Sequence, residues 1–165
     1  MMNRIYLDHA ATTPVSEAVM AAMKPFFTEC WGNASAVYGT GREARKAVEA
    51  ARRITAEAIG AEPAEICFTS GGSESDNQAI IGSAFAMKDK GRHIITTRIE
   101  HPAVLNTCGW LEKQGFEITR IKPDREGRID PETVRREIRP DTILISVMSA
   151  NNPPKPPKSP KTSSR

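Results

Sequence analysis

Three short runs in this 165-residue chain carry residue types that handle anions, rings and protons. The first is Phe68-Thr69-Ser70-Gly71-Gly72-Ser73-Glu74-Ser75-Asp76-Asn77. An apolar stretch runs into two glycines, and a helix signal follows. Glycine lets backbone N–H groups turn toward a ligand without interference from a Cβ. A helix N-terminus adds free amides and partial positive charge, and Ser73 adds a hydroxyl donor, so the run reads as a phosphate cup. A tight turn with a serine cap, and Glu74 as a favourable first-turn acid, accounts for the same residues. Gly71-Gly72-Ser73-Glu74-Ser75 also approaches the hydrolase elbow G-x-S-x-G. It has Ser75 where the last glycine belongs, and no Asp and His follow in triad positions.

The second run is Glu100-His101-Pro102-Ala103-Val104. A histidine at a strand end, just before a proline-started helix, can stack on a planar ligand or handle protons. It can equally be a helix cap. The third run is Ser149-Ala150-Asn151-Asn152. Two amides after an apolar strand can orient a polar ligand, although asparagine also favours turns. His9, His93 and His101 do not pair with cysteines at metal-ligand intervals, and no metal site is expected.

Alternating helix and strand patterns must position these runs. Helical spacing covers Ser16 to about Glu29, then Gly41 to Ile59, where Ala44, Ala47, Val48, Ala51, Ile54 and Ala58 form one stripe and Gly60 closes the helix. Glu65 to Ser70 reads as a short buried strand. A helix over Ser73 to Lys90 closes at Gly91, and His93 to Arg98 reads as a strand. Pro102 to Gln114 is a helix closed by Gly115, and Phe116 to Ile121 a strand. A turn-rich stretch leads to a helix over Pro131 to Ile138 capped by Asp130, then to a strand over Thr142 to Ser149. Such alternation means an α/β architecture, a mostly parallel sheet covered by helices. In these sheets ligands bind beyond the C-terminal strand ends, where the three runs lie.

Composition narrows the function classes. Hydrophobic residues are 39% and charged residues 26%, as in soluble globular proteins. The last thirteen residues carry Lys155, Lys158, Lys161 and Arg165 without an acid. Against a chain total of +3, the other 152 residues therefore carry −1. No basic face argues for nucleic acid, and no apolar run approaches a membrane span. Cys30, Cys67 and Cys108 are an odd count at wide spacing, which points to a reducing compartment, the cytoplasm; Cys67, in an expected strand, and Cys108, on an expected helix, read as structural.

Taken together, the runs resemble the cysteine desulfurases of the class V aminotransferase superfamily. Tyr6-Leu7-Asp8-His9-Ala10-Ala11-Thr12-Thr13-Pro14, Gly32-Asn33, Gly41-Arg42-Glu43-Ala44, the glycine run, Glu100-His101, Asp141-Thr142-Ile143-Leu144 and Asn151-Asn152 follow that family's order across residues 4 to 152. Gly72-Ser73 replaces the usual Ala-Thr, and Tyr38 stands where the family has a histidine. The resemblance implies an incomplete large domain of the pyridoxal-phosphate-dependent fold type I. Gly72 and Ser73 would hold the phosphate of pyridoxal 5'-phosphate. His101 would stack on its ring and assist proton transfer, as the one catalytic residue of this stretch. Asn152 would bond its phenolic oxygen. The implied reaction takes sulfur from L-cysteine, leaving L-alanine and a protein persulfide. That sulfur supplies iron–sulfur cluster assembly and tRNA thiolation. Implied partners are a second copy of the chain and scaffold or sulfur-acceptor proteins.

After Asn152 the pattern stops. The Schiff-base lysine, the carboxylate for the ring nitrogen and the sulfur-accepting cysteine of the family find no counterpart, and no His-Lys pair occurs. The expectation is an N-terminal part, residues 1–152, inactive alone, followed by a Pro/Lys-rich disordered tail, residues 153–165, arising from a frame-shift or truncation. The alternative is a non-enzymatic interaction protein. It would offer Pro153-Pro154-Lys155-Pro156-Pro157-Lys158 as a polyproline ligand or pair with an intact desulfurase.

Overall fold

The computed structural model describes residues 5–151. Asn152 and the tail at 153–165 lie outside the described residues. The chain divides into two compact units between Phe68 and Thr69.

In the first unit, α1 (Glu17–Met23) starts at Ser16, whose hydroxyl accepts from the Val19 N–H at 3.4 Å. The sequence predicts one helix to about Glu29, but the structure breaks it at Lys24, and α2 (Pro25–Thr28) is a single turn. Pro25 has no N–H to donate and its ring crowds the preceding turn, so it starts a helix rather than continuing one. Helix α3 (Gly39–Ile59) ends at Gly60, in the left-handed conformation at φ 68°. Its buried residues are Gly41, Ala44 and Ala56, whereas Val48 and Ile54 of the expected stripe are exposed. A Cβ on Gly41 would fall 2.5 Å from the Ala36 carbonyl oxygen, so the loop before α3 packs directly on its backbone.

The expected strand at Glu65 to Ser70 does not form. A 3-10 turn at Pro63–Glu65 gives way to extended chain that joins no sheet among the described residues. An apolar run becomes a strand only where a second backbone completes its ladder. Instead, the Arg52 guanidinium donates to the Ile66 carbonyl and sits 5.1 Å from the Phe68 ring centroid. Cys67, assigned a structural role by the sequence, is exposed.

The second unit holds α4 (Gly72–Ala86), β1 (His93–Thr97), α5 (Pro102–Lys113), β2 (Glu117–Ile121), α6 (Pro131–Glu137) and β3 (Thr142–Ile145). The sheet order is β2-β1-β3, and both pairings are parallel. Central β1 is buried along its whole length. Ile94 joins Ile80 and Ala84 of α4, Val104, Cys108 and Leu111 of α5, and Phe116 in one core cluster. Alternation then sends His93, Ile95 and Thr97 to the opposite face. Strand β3 ends at Ile145 rather than Ser149, because Ser146 is the last residue to donate to β1, at 2.9 Å to the Ile95 carbonyl. Asp130 caps α6 as expected, accepting from the Glu132 and Thr133 amides at 3.1 Å. No helix among the described residues is long and apolar enough to cross a membrane.

His93 is 1% exposed, and its ring is bonded at both ends. Nδ1 pairs with the Thr142 hydroxyl at 2.7 Å and Nε2 with the Thr119 hydroxyl at 2.9 Å. Burial holds its pKa below the ordinary histidine value, and the nearby Arg139 guanidinium adds to the effect, against the opposing pull of Asp141, Glu117 and Glu137. The folded chain therefore takes up this proton less readily than the unfolded chain. The resulting stability is complete above about pH 6.5 and is lost as the pH falls through the folded value. Urea titrations between about pH 7.5 and 5, spanning the ordinary histidine value, should show a steeper loss of stability for the native chain than for His93→Gln. Parallel pH profiles would remove His93 as the cause.

Candidate functional site

Helix α4 begins without a side-chain cap, and its first amides, on Gly72 and Ser73, have no acceptor within the helix. The turn ahead of it is braced by its own side chains. One Glu74 carboxylate oxygen accepts from the Ser70 N–H at 2.7 Å and from the Ser70 hydroxyl at 2.5 Å. The Ser70 hydroxyl first, and its amide second, hold the Glu74 pKa below the usual carboxylate range. Thr69 and Ser75 share a hydroxyl–hydroxyl bond of 2.6 Å across the same turn. Glu74 is thus engaged with Ser70. A Cβ built on Gly71 or Gly72 would meet nothing within 4 Å, so no neighbouring group packs against the Cα of either glycine.

His101 is the N-cap of α5. Its Nδ1 accepts from the Ala103 N–H at 3.1 Å, and Pro102 follows as the first helical residue. Accepting at Nδ1 requires that nitrogen to be unprotonated, which leaves Nε2 as the nitrogen able to carry or exchange a proton. The capping role and an exposed ring are therefore compatible in one residue.

Helices α4 and α5 flank a cleft of about 580 Å³, with Ser73, Asn77 and Ile81 on one wall and His101, Asn106 and Trp110 on the other. The Thr107 hydroxyl donates to the Asn77 side-chain carbonyl and ties the two helices together beside it. Ser73 and His101, picked from separate runs of sequence, thus line one cleft. Gly72, the residue before Ser73, is not among the residues that line it, and Asn152 is outside the described residues. Asn77, Asn106, Thr107 and Trp110 join the cleft only in the folded chain. Their signal was helical spacing, since Asn77 and Ile81 follow Ser73 by four and eight residues, on the same face.

This donor set fits a phosphorylated ring. The first amides of α4 have no acceptor within the helix, the Ser73 hydroxyl belongs to a residue lining the cleft, and the His101 imidazole belongs to its other wall. It does not supply everything pyridoxal phosphate chemistry uses, because neither a lysine nor a carboxylate lines the cleft among the described residues.

The family model described as aminotransferase class-V matches residues 5–153. The cysteine desulfurase IscS of Dictyoglomus turgidum is 56% identical over 152 residues, 92% of this chain and 39% of that protein. A solved NifS-like protein superimposes with a TM-score of 0.85 at 38% identity, over 90% of this chain and 41% of the other. SspA, solved in complex with cysteine, gives a TM-score of 0.83 at 44% identity, over 88% and 42%. The chain thus spans about two fifths of the length of the relatives it matches.

Proposed function

Because the chain belongs to the aminotransferase class-V family, we propose that its second unit forms the phosphate-binding and ring-facing half of a pyridoxal phosphate site in a cysteine desulfurase. The observation that carries this reading is the shared cleft of Ser73 and His101 at the start of two helices. The Gly72 and Ser73 amides and the Ser73 hydroxyl donate to the phosphate, helped by the positive end of α4. His101 covers the ring, and its Nε2 holds or passes a proton while Nδ1 stays committed to Ala103. Asn152 bonds the phenolic oxygen on this reading, a role drawn from the resemblance alone. When bound, the cofactor supplies an electron sink for the carbon at which bonds break. The substrate is L-cysteine and the products are L-alanine and transferable sulfur. A second copy of the chain and sulfur-acceptor proteins are the partners. Carbon–sulfur cleavage also needs an amine and a thiol from outside the residues that line this cleft.

Titrating pyridoxal phosphate into the chain, followed by the circular dichroism of the bound cofactor, tests the reading. Binding should saturate, and Ser73→Ala should weaken it roughly 10-fold, as expected for loss of one hydrogen bond to a charged group. Pyridoxal without its phosphate should bind more weakly still. His101→Ala should alter the bound spectrum. If both variants bind and absorb like the native chain, the site is misassigned. Alanine and sulfide release from L-cysteine, with the cofactor present, tests the reaction itself.

A further inference from the structure

Two side chains fasten the segment after β3 to the turn ahead of α5. Glu100 is only 6% exposed. Its Oε1 accepts from the Thr97 hydroxyl at 2.8 Å and from the Met148 N–H at 2.9 Å. Thr97, fully buried, also accepts from the Ile99 N–H at 3.4 Å. From the other side, the Asn151 side-chain amide donates to the Ile99 carbonyl at 2.9 Å. The turn Arg98-Ile99-Glu100 is therefore gripped by β1 behind it and by the β3 exit beside it. The next residue in the chain is His101, and the residue after Asn151 is Asn152.

An acid is a poor choice for filling buried space, since its polar oxygens must find donors there or destabilise the fold. A leucine would fill the same volume without that demand. What the carboxylate adds is one oxygen that can take donors converging from two strands. We infer that Glu100 is a positioning residue, whose carboxylate clamps the β3 exit to the β1–α5 turn and so sets the spacing between His101 and Asn151. It touches no ligand and acts through those neighbours. The inference rests on the reading of His101 as the ring-facing residue of a cofactor site.

Glu100→Gln keeps an acceptor oxygen at the same reach, and Glu100→Leu keeps the bulk and removes it. In the 165-residue chain, Glu100→Leu should speed hydrogen exchange at the Met148 amide by roughly 10- to 100-fold. It should weaken pyridoxal phosphate binding about 10-fold and shift the His101 ring resonances. Glu100→Gln should stay within about threefold of the native chain on both counts. The clamp is refuted if Glu100→Leu leaves Met148 exchange unchanged, or if Glu100→Gln loses as much as Glu100→Leu. The positioning role is refuted if exchange quickens while binding and the His101 resonances stay native. If the native chain binds no pyridoxal phosphate but exchange and the His101 resonances respond as expected, the cofactor reading falls and the clamp stands. Should Glu100→Leu fail to fold, Thr97→Val removes one donor and leaves the carboxylate, and the same two readouts decide.

Discussion

Leu111→Ala is expected to destabilise the second unit by about 2–5 kcal/mol, the range for emptying a packed leucine site. Leu111 is fully buried on α5, amid Ile80, Ala84, Ile94, Val104, Cys108 and Phe116. Its backbone carbonyl also accepts from the Phe116 N–H at 3.1 Å, so the side chain sits where α5 turns into β2. Neighbours pinned by a helix, a strand and a reversal have little freedom to collapse into the hole, which favours the upper part of the range. Urea unfolding should show a lower midpoint with an unchanged slope, since the surface exposed on unfolding is the same. Leu111→Met, which nearly conserves volume, should cost less than about 1.5 kcal/mol. Equal losses for the two variants would mean that Leu111 acts through something other than packing. The same change should reach the site, because His101 is the N-cap of α5.

Gly91→Ala is the second large effect, and its cause is overlap rather than a void. A Cβ on Gly91 would collide with the Asp141 carbonyl oxygen and come within 2.8 Å of the Asp141 Cα. All the colliding atoms are backbone, so no side-chain rotation relieves them. The neighbouring His93 N–H donates to that same Asp141 oxygen at 3.1 Å, at the start of the β1–β3 pairing. Moving Asp141 aside also strains its two-point contact with Arg139, at 3.0 and 2.9 Å. A cost of about 1–3 kcal/mol follows from comparable overpacking, with faster amide exchange along β3 as the local sign. An alanine variant with native stability and native β3 exchange would show that the approach is not a constraint.

The contrast between these two positions shows how far the sequence could be read. The sequence reads Gly91 only as the stop of a helix that in the structure already ends at Ala86, because the residue Gly91 touches lies fifty positions away and nothing local announces the approach. The helices with proline starts and polar caps, such as Asp130-Pro131 and His101-Pro102, were found at their observed ends because a cap is a local bond. The segment at 65–70 was misread as a strand, since an apolar run looks the same whether or not a partner backbone lies beside it. Pro25 splits the helix that the apolar spacing alone carries to about Glu29. At the site, Ser73 and His101 stood out by residue type. Glu100 did not, because its meaning depends on the Met148 amide, 48 residues away.

The row of Thr119, His93 and Thr142 has a consequence for how the sheet assembles. Hydrophobic alternation forbids a one-residue slip of a strand, but a two-residue slip returns apolar side chains to the same face. Such a slip of β2 would put Glu117 or Ile121 where Thr119 now meets the imidazole. On β3, the irregular pairing between His93–Thr142 and Ile94–Leu144 brings a single hydroxyl to the other ring nitrogen. Each misaligned sheet would strand a buried ring nitrogen without its hydroxyl, at about 1–3 kcal/mol per lost contact. One imidazole thus works as a two-sided key that only the native alignment of all three strands can turn.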